Sequence, residues 1–142
     1  MRDKISAVSE RFDNKPRGIA HVLSNAPDIG INEIAKKAFE TATEKGFRDP
    51  DVAADRGVLG DLMLIVTEVA EAAEEARKIG YEPTRTYYRD SDKKPEGLPA
   101  ELADVIIRIG DMAQALDIDL AVAVREKMAF NRSRPRLHGK TK

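Results

Sequence analysis

Apolar residues recur every three or four positions along four stretches of the chain, a spacing that places them on one face of a helix. The first stretch covers about residues 33–45, with Asn32 as a candidate N-cap and Gly46 as a stop. The second covers about residues 59–79 and is followed by Gly80. These two segments are predicted to be amphipathic helices.

The third and fourth stretches have equally clear ends. Pro99 suits the first turn of a helix that extends to about residue 115. Asp117 or Asp119 can cap a fourth helix, and Pro135 ends it. The apolar positions of the four helices, with those of the third expected to face inward, are Ile34, Ala35, Ala38, Phe39 and Ala42; Leu62, Ile65, Val66, Val69, Ala72, Ala73 and Ala76; Leu102, Val105, Ile106, Ile109, Met112, Ala113 and Leu116; and Leu120, Val124, Met128 and Phe130.

This pattern predicts an all-α protein with a four-helix core. Residues 1–31 read as an irregular N-terminal arm, with one short helix at about 4–12, because Pro and Gly interrupt their apolar groups. Residues 32–142 form the predicted helical domain, which ends in a basic tail. The polar segment 81–97 is long enough for a connection to suggest a function.

Composition narrows the class of protein further. The 142 residues are 42% hydrophobic and 35% charged, contain no cysteine or tryptophan, and have a net charge of −1. The lack of cysteine excludes disulfides and thiolate chemistry, and two histidines are too few for a histidine-rich metal site. The longest apolar run, residues 62–66, is too short to span a bilayer. We therefore expect a soluble, cytoplasmic protein without a membrane partner.

Two pairs of acidic residues stand inside the apolar segments of the second and third helices. Glu68 and Glu71 lie three residues apart, as do Glu101 and Asp104, so each pair projects from one helix face. If these helices pack antiparallel, four carboxylates converge, and their repulsion and desolvation favour a bound cation. Oxygen ligands suit Mg²⁺, with Mn²⁺ as a substitute. The alternative is that each pair belongs to a solvated helix face.

The chain beyond residue 126 carries six Lys or Arg residues and no acid. Lys127, Asn131 and Arg134 repeat at spacings of four and three, so they share a face if the fourth helix extends that far. Such groups can hold phosphate oxygens. An acidic metal site and a basic strip together match a magnesium-polyphosphate substrate, although a basic end alone is typical of a solubilising tail or a weak nucleic-acid contact.

These motifs resemble the ExxE…ExxD signature of the MazG-like all-α NTP pyrophosphohydrolases. The basic ending is similar to that of the compact MazG-like proteins of phages and actinobacteria. The resemblance covers about residues 33–140. The segments that carry it are EVAE at 68–71, ELAD at 101–104 and KMAFNRSRP at 127–135.

The resemblance implies hydrolysis of a nucleoside triphosphate, usually a deoxynucleotide, to its monophosphate and pyrophosphate. It also implies homodimers or dimers of dimers, in which helices of one subunit help to complete the site of another. Glu68 is the residue expected to orient or deprotonate the attacking water. The resemblance assigns Mg²⁺ binding to Glu68, Glu71, Glu101 and Asp104, and phosphate or sugar contacts to Lys127, Asn131 and Arg134.

The chain departs from the family pattern at several positions. Twenty-nine residues separate Glu71 from Glu101, so segment 81–97 reads as an insertion. Arg48 stands where relatives often carry Trp. If that aromatic residue stacks on the base, either Phe47 or a loop tyrosine does so here or base selectivity is relaxed. Residues 1–31 have no counterpart in the family pattern.

Two other classes of function remain compatible with the sequence. A non-catalytic helical interaction protein would carry the acid pairs as surface stripes and would not bind Mg²⁺. A nucleotide- or nucleic-acid-binding protein would bind in a salt-dependent way without hydrolysis, although no stable nucleic-acid partner is expected. A di-iron bundle is excluded because it needs Glu-x-x-His pairs.

Overall fold

The computed structural model describes residues 28–78 and 80–136, and within them the chain forms four helices and one small antiparallel β-hairpin. The expected all-α class is confirmed. The helix expected over residues 4–12 lies outside the described residues. The elements are α1 (Ile31–Glu44), α2 (Pro50–Arg77), β1 (Tyr87–Tyr88), β2 (Pro95–Glu96), α3 (Leu98–Ala115) and α4 (Leu120–Ser133).

Helix α3 is the centre of the fold because it packs against both α1 and α2. Its contact with α1 is made by small residues, among them the buried Ala35, Ala38 and Ala113. The approach is close at Gly110, where a Cβ atom would lie 3.0 Å from the Cα of Ala35. A glycine at this position therefore lets the two helix backbones come together.

Helices α2 and α3 run antiparallel, as the side chains that join them show. Glu101, in the first turn of α3, lies beside Glu71 of α2. Ten residues further along α3, Asp111 shares the side chain of Arg48 with Asp61, which precedes Glu71 by ten residues in α2. The expected antiparallel packing is therefore present.

Helix α2 begins earlier than the sequence pattern predicts. The predicted start at about residue 59 is wrong, because Pro50 opens the helix and the Asp49 carbonyl accepts the Ala53 N–H at 2.8 Å. Proline is well tolerated there, since its missing N–H would have no intrahelical partner. At Gly57 the backbone is non-helical, with φ 58° and ψ −178°. The apolar stripe follows this break, which explains why periodicity detected only the later part.

The expected N-cap of α1 is also wrong, because Gly30 occupies that position. The Asn32 side chain instead reaches α4, where its amide donates to Asp119 Oδ1 at 2.9 Å and accepts the Ala121 N–H at 3.0 Å. Asp119 also accepts the Val122 N–H at 3.0 Å, which confirms it as the cap of α4. A long-range contact has therefore replaced the local capping bond.

The apolar stripes are less buried than the sequence pattern predicts. Leu102 and Ile106 of α3, expected to face inward, are 50% and 49% exposed, and Leu116 is 42% exposed. Helix α4 has no buried residue. The stripe of α2 is uncovered too, at Leu62, Val66 and Val69. The inward orientation expected for Leu102, Ile106 and Leu116 is wrong for the single chain, because no element of the described residues covers these side chains.

Candidate functional site

A cavity of about 800 Å³ lies between α1 and the α2–α3 pair, a volume in the range of small-molecule sites. Its lining combines charged side chains with apolar side chains of α1 and α3. Phe47, at the end of the α1–α2 connection, lies at its edge and is exposed. The charged residues that line the cavity are Glu68, Glu71, Asp104, Asp111, Lys37, Lys45, Lys94 and Arg108.

Three of the four carboxylates singled out by the sequence lie together; two of them, Glu68 and Glu71, line this cavity, and Glu101 does not. One oxygen each of Glu68, Glu71 and Glu101 lies within 4.8 Å of the others. Glu68 and Glu71 reach this point from successive turns of α2, and Glu101 reaches it from the first turn of α3. We call these three side chains the carboxylate cluster.

Burial and neighbouring charge disfavour the ionised form of Glu101. Glu101 is 4% exposed, and its Oε2 has no hydrogen-bond partner among the described residues. Burial, together with the charge of Glu71, raises the pKa of Glu101. Asp104 lines the same cavity but lies outside the cluster, and burial and the charge of Glu68 raise its pKa. A buried oxygen atom without a partner beside two further carboxylates fits a hard divalent cation.

Glu68 has one direct partner that the sequence reasoning missed. Arg108 Nε donates to Glu68 Oε1 at 3.0 Å, and the Arg108 side chain is 36% exposed at the cavity. Arg108 stands four residues after Asp104, so helical spacing alone places it on the same face of α3. The spacing of four residues between Asp104 and Arg108 is the sequence feature from which Arg108 could have been predicted.

A second charged network holds the α1–α2 connection against the helix pair. Arg48 Nε and Nη2 donate to the two oxygens of Asp111 at 2.8 and 2.7 Å, and Nη1 donates to Asp61 at 2.9 Å. Arg56 Nε lies 2.6 Å from the other Asp61 oxygen, and its Nη2 donates to the Phe47 carbonyl at 3.0 Å. The hydrogen bond to Asp111 raises the pKa of Arg48 even though burial opposes it. Arg48 and Arg56 thus hold the backbone beside Phe47.

The basic residues expected to hold phosphate lie elsewhere in the single chain. Lys127, Asn131 and Arg134 are on exposed α4, and none of them lines the cavity. Lys127 Nζ and Arg134 Cζ lie 5.5 and 5.8 Å from the centroid of the Phe130 ring, so both are on the side of α4 that carries this ring. The structure therefore places Phe47 at the cavity that Glu68 and Glu71 line, but does not place these three residues there.

The comparisons with known proteins assign no family. No protein-family model matches the chain, and no curated protein matches it. Of the helices in the described parts of the chain, none is long and apolar enough to cross a membrane. The function of the cavity must therefore be inferred from its chemistry.

Proposed function

We propose that this chain is a Mg²⁺-dependent pyrophosphohydrolase of the MazG-like kind, which converts a nucleoside triphosphate into its monophosphate and pyrophosphate. The observation that carries the proposal is the Glu101 Oε2 atom, which is buried, lacks a hydrogen-bond partner among the described residues, and belongs to the carboxylate cluster. A buried polar atom without a partner costs about 1–3 kcal/mol. A cation held by the cluster would remove that cost.

The proposed metal ligands are the three carboxylates of the cluster and, from the same cavity, Asp104. All of their donors are oxygen atoms, which Mg²⁺ and Mn²⁺ prefer. When bound, the metal ion supplies charge neutralisation for the phosphates and makes a water molecule more acidic. Mn²⁺ is the expected substitute.

The protein would position the water and the phosphate chain for an in-line displacement. The water oxygen forms a bond to the α-phosphorus, the bond from that phosphorus to the α,β-bridging oxygen breaks, and pyrophosphate leaves with the electron pair. A carboxylate of the cluster accepts the proton of the water. Glu68 is the proposed orienting residue, because the 3.0 Å bond from Arg108 fixes the direction of its carboxylate.

The apolar side of the cavity is the proposed place for the nucleoside. Phe47 offers an aromatic ring at the cavity edge, and bases stack on such rings. Among the described residues, the Phe47 ring is proposed to stack on the base in place of the tryptophan that MazG-like proteins often carry. Because the Phe47 ring is exposed, it does not determine which base or sugar is preferred, and both preferences are measured by assay.

A second copy of the chain is the proposed partner. Leu62, Val66 and Val69 share one face of α2 and are exposed, as is Leu102 on α3, and exposed apolar side chains grouped in this way are typical of a protein–protein interface. A homodimer, or a dimer of dimers, would cover this surface. It would also allow Lys127, Asn131 and Arg134 of α4 to reach the phosphates in the neighbouring subunit.

The proposal is tested by measuring release of monophosphate and pyrophosphate from each canonical dNTP and NTP, with Mg²⁺, Mn²⁺ or EDTA. The informative variants are Glu68→Gln, Glu71→Gln and Asp104→Asn. The matched control is Glu74→Gln, because Glu74 is on the same helix as Glu71 but lies outside the carboxylate cluster and the cavity and is paired with Arg77. We expect the first three to abolish turnover, while the control retains the rate of the wild type.

Three results would contradict the proposal. Turnover that persists in EDTA, or equal rates for Glu71→Gln and Glu74→Gln, would exclude the carboxylate cluster as the catalytic centre. Salt-sensitive nucleotide binding without hydrolysis of any canonical nucleotide would favour a binding protein instead.

A further inference from the structure

The segment between α2 and α3 is a small hairpin fastened to the end of α2. Its first strand carries Tyr87, whose hydroxyl lies 3.2 Å from both oxygens of Glu75 and accepts a hydrogen bond from Lys78 Nζ at 2.7 Å. At the other end Gly97 enters α3 with φ 103°, and a Cβ atom there would lie 2.4 Å from the Arg85 carbonyl. The path of the hairpin is therefore fixed at both ends.

The turn of this hairpin holds Lys94 in a defined place. Arg89 donates its backbone N–H to the Lys94 carbonyl at 2.9 Å, and its side chain pairs with Asp92 through two bonds of 2.9 and 2.7 Å. The Lys94 N–H in turn donates to Asp92 Oδ1 at 3.1 Å. Both backbone groups of Lys94 are thus bonded, and its side chain alone is left to move.

That side chain lines the cavity together with Glu68, Glu71 and Asp104. The Lys94 charge acts on the carboxylates, because it partly offsets the burial that raises the pKa values of Glu101 and Asp104. Lys94 therefore places a positive charge close to the carboxylate cluster.

Of the other three cations of the cavity, Lys45 also forms no ion pair among the described residues, whereas the remaining two are paired. Arg108 is bonded to Glu68, and Lys37 lies 2.8 Å from Glu33. Lys94 forms no ion pair with a carboxylate of the described residues, whereas its neighbour Lys93 lies 3.9 Å from Asp90 and outside the cavity. An ammonium group cannot bind a metal cation, so its proper partner here is an anion brought in by the substrate.

We propose that the Lys94 ammonium binds phosphate oxygens of the triphosphate beside the carboxylate cluster, so that the hairpin is part of the substrate site. This inference rests on the proposed pyrophosphohydrolase function. A nucleoside triphosphate carries more negative charge than one divalent cation neutralises. The mobile ammonium group of Lys94 can neutralise part of the remaining charge. Lys94 then exchanges its weak interaction with the carboxylates for a direct bond to phosphate.

The test compares Lys94→Gln with Lys93→Gln, which removes the same charge from the same turn. We expect Lys94→Gln to lower kcat/KM about 10- to 100-fold, mainly through KM, as for a lost hydrogen bond to a charged group. Lys93→Gln should keep the rate of the wild type, and Lys94→Arg should restore most of the loss. Without nucleotide, Lys94→Gln should bind Mg²⁺ at least as tightly as the wild type in calorimetry, because a neighbouring positive charge is gone. A merely distorted site would bind Mg²⁺ more weakly.

Equilibrium binding of each dNTP in Ca²⁺, measured without turnover, separates this inference from the proposed function. If the wild type binds a dNTP and Lys94→Gln weakens that binding, the role of Lys94 holds whether or not hydrolysis occurs. Equal binding and equal rates for Lys94→Gln and Lys93→Gln would overturn the inference and leave the proposed function intact. A wild type that neither binds nor hydrolyses any nucleotide would overturn both.

Discussion

Replacing Asp111 by Ala should destabilise the fold, because the buried guanidinium group of Arg48 loses one of its two carboxylate partners. Asp111 receives two hydrogen bonds from Arg48, at 2.8 and 2.7 Å, and the two side chains are only 11% and 9% exposed. Removing one partner of a buried pair costs about 3–5 kcal/mol. Asp61 still binds Arg48, and Asp111 borders a cavity that water can enter, so we expect the lower limit, about 3 kcal/mol.

The assay is thermal unfolding followed by circular dichroism, at one protein concentration and in EDTA. For a chain of this size about 3 kcal/mol corresponds to a fall in melting temperature of about 9 °C. The control is Asp92→Ala, because the Arg89–Asp92 pair has the same two-bond geometry, at 2.9 and 2.7 Å, but its side chains are about half exposed. Exposed pairs contribute little to stability. A melting temperature for Asp111→Ala no lower than that of Asp92→Ala would refute this reasoning.

Three further predictions concern the same elements. Glu101→Gln should raise the melting temperature in EDTA by about 3 °C, because the unpaired Oε2 atom costs the wild type about 1 kcal/mol. The same variant should show no stabilisation by Mg²⁺. Gly110→Ala should lower the stability in a urea titration by about 1–2 kcal/mol, because its Cβ would lie 3.0 Å from the backbone of Ala35, whereas Gly30→Ala meets nothing within 4 Å and should change little. The pKa values of Glu101 and Asp104 are raised in the folded state, so stability in EDTA should fall as pH rises above their ordinary values of 4.5 and 3.8, and Mg²⁺ should raise the melting temperature more at about pH 8 than at about pH 5. A Mg²⁺ effect independent of pH, or lost equally in Glu74→Gln, would contradict the pH and Glu101 predictions.

The local signals in the sequence predicted most of the helices. Pro99 and the apolar periodicity located α3, whose end at Ala115 is confirmed. Asp119 caps α4 as one of the two expected candidates, and Pro135 follows the end of that helix. These signals act within one or two turns of the chain, so a single sequence contains them.

The carboxylate cluster was partly accessible for the same reason. Spacing of three residues places Glu68 and Glu71 on one face of α2, and antiparallel packing brings Glu101 to them. Asp104 lies in the same cavity but outside the cluster, because the relative rotation of the two helices depends on packing that spacing does not determine.

What the sequence did not reveal depends on contacts between distant residues. Arg48 meets Asp111 across 63 positions, and Asn32 meets Asp119 across 87. Neither pair has a periodic signature. The exposed stripes of α2 and α3 were misjudged because periodicity identifies an apolar face without identifying what covers it.

The central claim is that water attacks the α-phosphorus of a nucleoside triphosphate at the carboxylate cluster. The most direct measurement is hydrolysis with Mg²⁺ in water labelled with a heavy oxygen isotope, followed by mass spectrometry of both products. The account predicts that the label appears in the nucleoside monophosphate and not in pyrophosphate, and that Glu71→Gln gives no labelled product. Label in pyrophosphate, in a diphosphate or in orthophosphate would contradict the account.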